Sequence, residues 1–156
     1  MNNPDKLTQK VRISQMIVLA TMSTLVYCGI FLYITRENAI SPGLEGTPAM
    51  MLRGCLYGAA LMTLAALKYV VPFSLKATKE ERADEDTLFN KLQTFSIVCA
   101  ALCESIGIYG FVLALLLHNL SDYVLLSAAA FWAFSINFPN ADKWQNWIMS
   151  RRQRLD

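Results

Sequence analysis

One carboxylate stands apart from every other charge in this sequence. Glu104 lies in AALCESIGIYGFVLALLL, about eleven residues into an otherwise apolar run. If that run crosses a bilayer, the carboxyl sits near its middle, where a charged carboxylate costs roughly 2.5–3.5 kcal/mol on insertion scales. Such a group is tolerated when it is protonated, paired or used. A neutral acid that ionises on meeting a cation is the chemistry of proton or sodium carriage. A protonated acid that hydrogen-bonds a neighbouring helix is a structural pin instead. Matched depths in the apolar runs make Ser23, Thr24, Thr63 and Ser127 the possible hydrogen-bond partners. Lys68 falls roughly 10 Å away along the membrane normal at 1.5 Å per residue, and it is expected to snorkel to the interface.

The other chemistry-bearing residues mostly exclude functions. Cys28, Cys55, Cys99 and Cys103 all fall in apolar runs. Cys99 and Cys103 are one helical turn apart, with no second pair or histidine cluster to complete a zinc set. His118 is the single histidine, so two histidines of this chain cannot hold a haem. There is no HExxH, serine–histidine pairing, acidic metal cluster or phosphate loop. The residues therefore predict a non-enzymatic chain with no cofactor and no metal site.

The elements around Glu104 read as membrane helices. Apolar residues make up 54% of the 156 and charged ones only 17%, against nearer a quarter in soluble domains. The charges gather in the N-terminal dozen residues, the KATKEERADEDTLFNK segment and the C-terminal tail. Four apolar runs lie between them, at about 13–34, 50–71, 93–117 and 122–138, separated by a charged loop at 72–92 and followed by a tail at 139–156. The first run is too long for a signal-peptide core and no A-x-A pattern follows, so it is expected to remain as a span. Thr47-Pro48 reads as the N-cap and first-turn pair of the second helix, and Ser121 or Asp122 as the N-cap of the fourth. The fourth run, at 16–17 residues, sits at the lower limit for a ~30 Å hydrocarbon layer. The expected fold is all-α, a polytopic membrane protein of four transmembrane helices arranged as two hairpins. Ile17-Val18 with Ala20, and Ile97-Val98 with Ala100, hint that the hairpins are related.

Lysine and arginine set the orientation. Twelve fall in the N-terminal segment, the 68–91 region and the tail; two, Arg36 and Arg53, fall on the opposite side. That bias predicts both termini in the cytoplasm of a cell membrane, of bacterial plasma-membrane type. Trp144 and Trp147 read as an interfacial belt on the same face. A net charge of +2 is too small to suggest nucleic acid as a partner. Small residues mark the helix-packing faces: Gly54 and Gly58 on the second span, and Ala100, Cys103, Gly107, Gly110 and Ala114 on the third.

The segment from Ala100 to Leu117, with its A-x-x-x-E-S-I-G-I-Y-G core, resembles the carboxylate-bearing helix of the rotary ATP synthase c-subunit, the proteolipid of the ion-carrying ring. The resemblance implies that Glu104 occupies the position whose acid binds the travelling ion, on a helix running outward from the cytoplasm. The family's partner helix has glycine at every second residue, where this chain has only Gly54 and Gly58. A doubled hairpin with a single acid also looks like vacuolar-type proteolipids, with Thr24 in place of the second acid. The chain is similar, too, to small bacterial four-helix membrane proteins of no known function. The expected role is a small integral membrane subunit, structural or accessory within a larger complex, with the bilayer and other membrane subunits or its own copies as partners. The alternative is a proton- or sodium-carrying proteolipid-like element using Glu104.

Overall fold

The computed structural model describes residues 4–35, 43–70 and 85–152, and the described residues are helical with short links. Helix α1 is Pro4–Thr35, and α2 is Thr47–Ala65, extended by a π-helical turn at Ala66–Val70. Helix α3 is Glu85–Leu117, α4 is Leu120–Asn137 and α5 is Ala141–Arg152. Three of these are long and apolar enough to cross a membrane; a fourth crossing is available if α4 and α5, bent by 54° at the Pro139 break, count as one. The all-helical membrane architecture follows from hydropathy, because a helix alone satisfies its own backbone groups in hydrocarbon.

The helices overrun the apolar runs that mark them. Helix α1 begins nine residues before Ile13, and α3 begins at Glu85 rather than near Gln93, because nothing in these polar leads breaks the helix. The rest of the charged loop, 72–84, lies outside the described residues. Caps also differ from expectation. Gly46, at φ 72°, precedes α2, and Thr47 is already helical. Asn119 caps α4, its side chain accepting from the Ser121 amide at 3.0 Å, which leaves Asp122 inside the helix. His118 takes the left-handed conformation that ends α3 (φ 52°), and the Leu44 amide donates to the Leu116 carbonyl there at 2.9 Å.

Helix α3 is the hub, and α1, α2, α4 and α5 all pack against it. Helices α1 and α3 run in the same direction. Near their starts Lys10 Nζ donates to Asn90 Oδ1 at 2.6 Å; farther along Leu25 covers Gly107; near their ends Leu32 and Ala114 share a cluster. Helix α4 runs back along α3. Helices α1 and α2 barely touch, so α2 leans on α3 and not on its predecessor in sequence. The main core joins Leu25, Cys99, Cys103, Ile106, Leu113, Leu126 and Phe134. A separate cluster joins Val11 of α1, Leu88, Phe89 and Leu92 of α3, and Trp144 and Ile148 of α5. Trp144, expected as part of an interfacial belt, is buried in protein, 5% exposed.

The small residues of α3 are what permit this closeness. A Cβ at Gly107 would lie 2.4 Å from Leu25 Cδ2, and one at Gly110 would lie 2.9 Å from Leu126 Cβ and 3.2 Å from the Tyr123 backbone. Ile108, on the opposite face, is 44% exposed. Gly107→Leu should therefore force α1 off α3 and cost about 1–3 kcal/mol or more, while Ile108→Leu should be nearly silent. Thermal unfolding in detergent reads the difference; equal effects would mean that the small stripe does not set the packing.

Candidate functional site

Two polar features interrupt the apolar bundle. The first is Glu104, carried in the middle of α3 between the buried Cys103 and the half-buried Ser105. Its helical neighbours Ala100 and Gly107 are buried, and Ile97 and Ile108 are exposed, so the carboxyl stands at the rim of the packed face. Glu104 is partly buried and makes no hydrogen bond or ion pair among the described residues.

Three of the four polar side chains matched to Glu104 by depth are engaged elsewhere. Ser23 donates to the Leu19 carbonyl at 2.8 Å, Thr24 to Ala20 at 3.2 Å and Thr63 to Ala59 at 2.9 Å, each within its own helix. Depth alone could not reveal this, because serine and threonine in apolar surroundings take the i−4 carbonyl as their nearest acceptor. Ser127 is buried on α4, and its hydroxyl has no hydrogen-bond partner among the described residues. Tyr123 donates through its hydroxyl to the Leu25 carbonyl, tying α4 to α1.

The second feature joins residues far apart in sequence. Arg53 Nε and Nη2 of α2 each lie 3.0 Å from Asp122 Oδ2 of α4, and the Tyr57 hydroxyl donates to Asp122 Oδ1 at 3.0 Å. Arg53 and Tyr57 are four apart on one face of α2, so both reach the same carboxylate. The Asp122 side chain is 10% exposed and that of Arg53 41%. The aspartate is thus the more buried partner, and Arg53 and Tyr57 together satisfy both of its oxygens. The linear sequence marks Arg53 only for orientation and Asp122 only as a cap. The available signal is an acidic residue at the head of one apolar run and an arginine in the first two turns of another, at the same membrane level.

Among the described residues there is no group of three or more histidine, cysteine or acidic side chains placed to hold a metal. Cys99 and Cys103 are buried and unpaired, Cys28 is partly buried and Cys55 exposed. The small residues divide by face. Ala100, Cys103, Gly107, Gly110 and Ala114 are buried within this bundle, whereas a Cβ at Gly54 or Gly58 would meet nothing within 4 Å. Loss of the Arg53 partner should be costly because it strands a buried anion. Arg53→Met should lower stability by about 1–3 kcal/mol, and Asp122→Asn added to it should recover most of the loss. Strictly additive losses in thermal unfolding would rule the coupling out.

Compared with known proteins, residues 50–117 match the family model of the ATP synthase c-subunit. The match takes in α2, its π-helical turn and α3, and so includes Glu104. No curated protein and no solved structure gives a match. Over this helix pair, then, the chain is similar to the ATP synthase c-subunit family.

Proposed function

We propose that this chain is a non-enzymatic integral membrane subunit, structural or accessory within a larger membrane complex. The observation that carries this is the division of its small-residue faces. The stripe of α3 is filled by the chain's own Leu25, Tyr123 and Leu126, while Gly54 and Gly58 of α2 stand open. Helix α2 packs along α3 and is pinned to α4 at Asp122, and Met50, Met51, Leu61 and Met62 on it are exposed. Between transmembrane helices the attraction comes from close van der Waals approach, and small residues are where it is greatest. An open small face flanked by exposed apolar side chains therefore suits a neighbouring subunit. The likeness of α2 and α3 to a proteolipid that works in an assembly supports the same reading.

A second reading rests on Glu104, an acid without a protein partner among the described residues, inside the segment that resembles the ATP synthase proteolipid. In this reading Glu104 exchanges a proton or sodium ion at the boundary of the bundle. Both readings place four crossings in a bacterial plasma membrane, as the pairs α1–α2 and α3–α4, with both termini cytoplasmic. Lys79 and Arg151 then face the cytoplasm and Glu45 the outside.

Native mass after mild detergent extraction separates the two readings. One or two copies beside unlike subunits fits an accessory role, and eight or more identical copies fits a carrier ring. Gly58→Leu should release the chain from its partners and leave its own unfolding midpoint unchanged. Glu104→Gln keeps the shape and a donor but cannot ionise. It should leave assembly and activity intact in a structural subunit, and leave assembly but abolish transport in a carrier. Impermeant maleimide labelling of a single cysteine at position 45, in a chain lacking the native thiols, should occur from outside only; labelling from within only would reverse the orientation.

A further inference from the structure

The elbow between α4 and α5 encloses a cleft of about 180 Å³ that the helix contacts leave unfilled. Its walls change character along its length. Phe95 of α3, with Ile136 and Phe138 at the end of α4, forms a mainly apolar wall broken by Ser96 and Asn137, and Asn140, Lys143 and Trp147 line the side next to α5. The elbow is fixed from three directions. Pro139 stops α4, and its carbonyl accepts from Gln15 Nε2 of α1 at 3.0 Å. Asn140 Oδ1 caps α5 by accepting from the Asp142 amide at 2.9 Å. Trp144 is buried against Leu88, Phe89 and Leu92. The cleft is thus a built feature of the bundle.

Its position decides its occupant. The apolar wall belongs to helices that run on into the membrane, and the polar wall belongs to a short helix in which, among the described side chains, only Trp144 and Ile148 are buried. A molecule filling the cleft must therefore be apolar at one end and polar at the other. Lys143 is exposed and makes no hydrogen bond or ion pair among the described residues, so the polar end calls for an anion. Lysine at the membrane surface attracts anionic headgroups, and tryptophan favours the same level.

We infer that this elbow binds one anionic phospholipid, its phosphate at Lys143 and Asn140 and the upper part of an acyl chain along Phe95, Ile136 and Phe138. The lipid would fill the gap left where the helix direction changes by 54° and so brace α5 against the bundle. The site is separate from Glu104 and does not depend on which functional reading holds.

Full-length protein purified in a neutral detergent, then given phosphatidylglycerol or phosphatidylcholine of identical chains, tests this by native mass and thermal unfolding. Phosphatidylglycerol should remain bound at one molecule per chain and raise the unfolding midpoint, and phosphatidylcholine should do neither. Lys143→Gln should weaken retention about fivefold; Lys68→Gln, which removes a lysine resting on Tyr69, should not. Circular dichroism of both variants in detergent, without lipid, should match the parent. Equal retention of the two lipids would overturn the inference. So would equal losses in the two lysine variants, since the attraction would then be general, or equally tight binding of glycerol phosphate, since the site would then take a free anion.

Discussion

Everything in this bundle depends on how closely other helices can approach α3. Lipid tails are as apolar as leucine, so no hydrophobic force drives these helices together, and the attraction must come from contact itself. Cys103, Gly107, Gly110 and Ala114 keep one side of α3 nearly flat, and Leu25, Tyr123 and Leu126 lie directly on it. The same flatness lets α1 and α4 approach each other across α3, where the Tyr123 hydroxyl reaches the Leu25 carbonyl. A larger side chain at either glycine would push these helices apart.

The polar groups are arranged around that contact. Asp122 can be buried at the head of α4 because α2 delivers Arg53 and Tyr57 to it together. That cluster clamps α2 near its start to α4, beside its main packing against α3. Glu104 is treated differently. It rides on the hub helix at the rim of the packed face, and the serine and threonines level with it on α1 and α2 bond their own backbones. Two carboxylates in one bundle thus have opposite circumstances, one engaged at both oxygens and one without a partner among the described residues.

The far end of the bundle follows the polar leads of the helices. Because α1 and α3 begin well before their apolar runs, Val11, Leu88, Phe89 and Leu92 form a second, smaller core, and α5 folds onto it through Trp144 and Ile148. Tryptophan near basic residues predicts a belt at the interface, but here one of the two rings is spent on protein packing. The turn that brings α5 there is set locally by Pro139 and by the Asn140 cap.

The sequence by itself determined the membrane class, the approximate apolar runs, the small stripe of α3 and the place of Glu104 among apolar residues. These are legible because each spanning helix satisfies its own backbone, so its existence and faces depend on local composition and period alone. Tertiary structure decided which helices touch. Nothing local says that α2 leans on α3 instead of α1, that Gly54 and Gly58 stay open while Gly107 and Gly110 are filled, or that Arg53 meets Asp122 across 69 positions. Nor could depth assign partners to Glu104, because level residues on different helices meet only if their faces are turned together. Rotation about a helix axis is fixed by its neighbours, and in a bilayer, where every face is apolar, the hydrophobic pattern says least about that rotation.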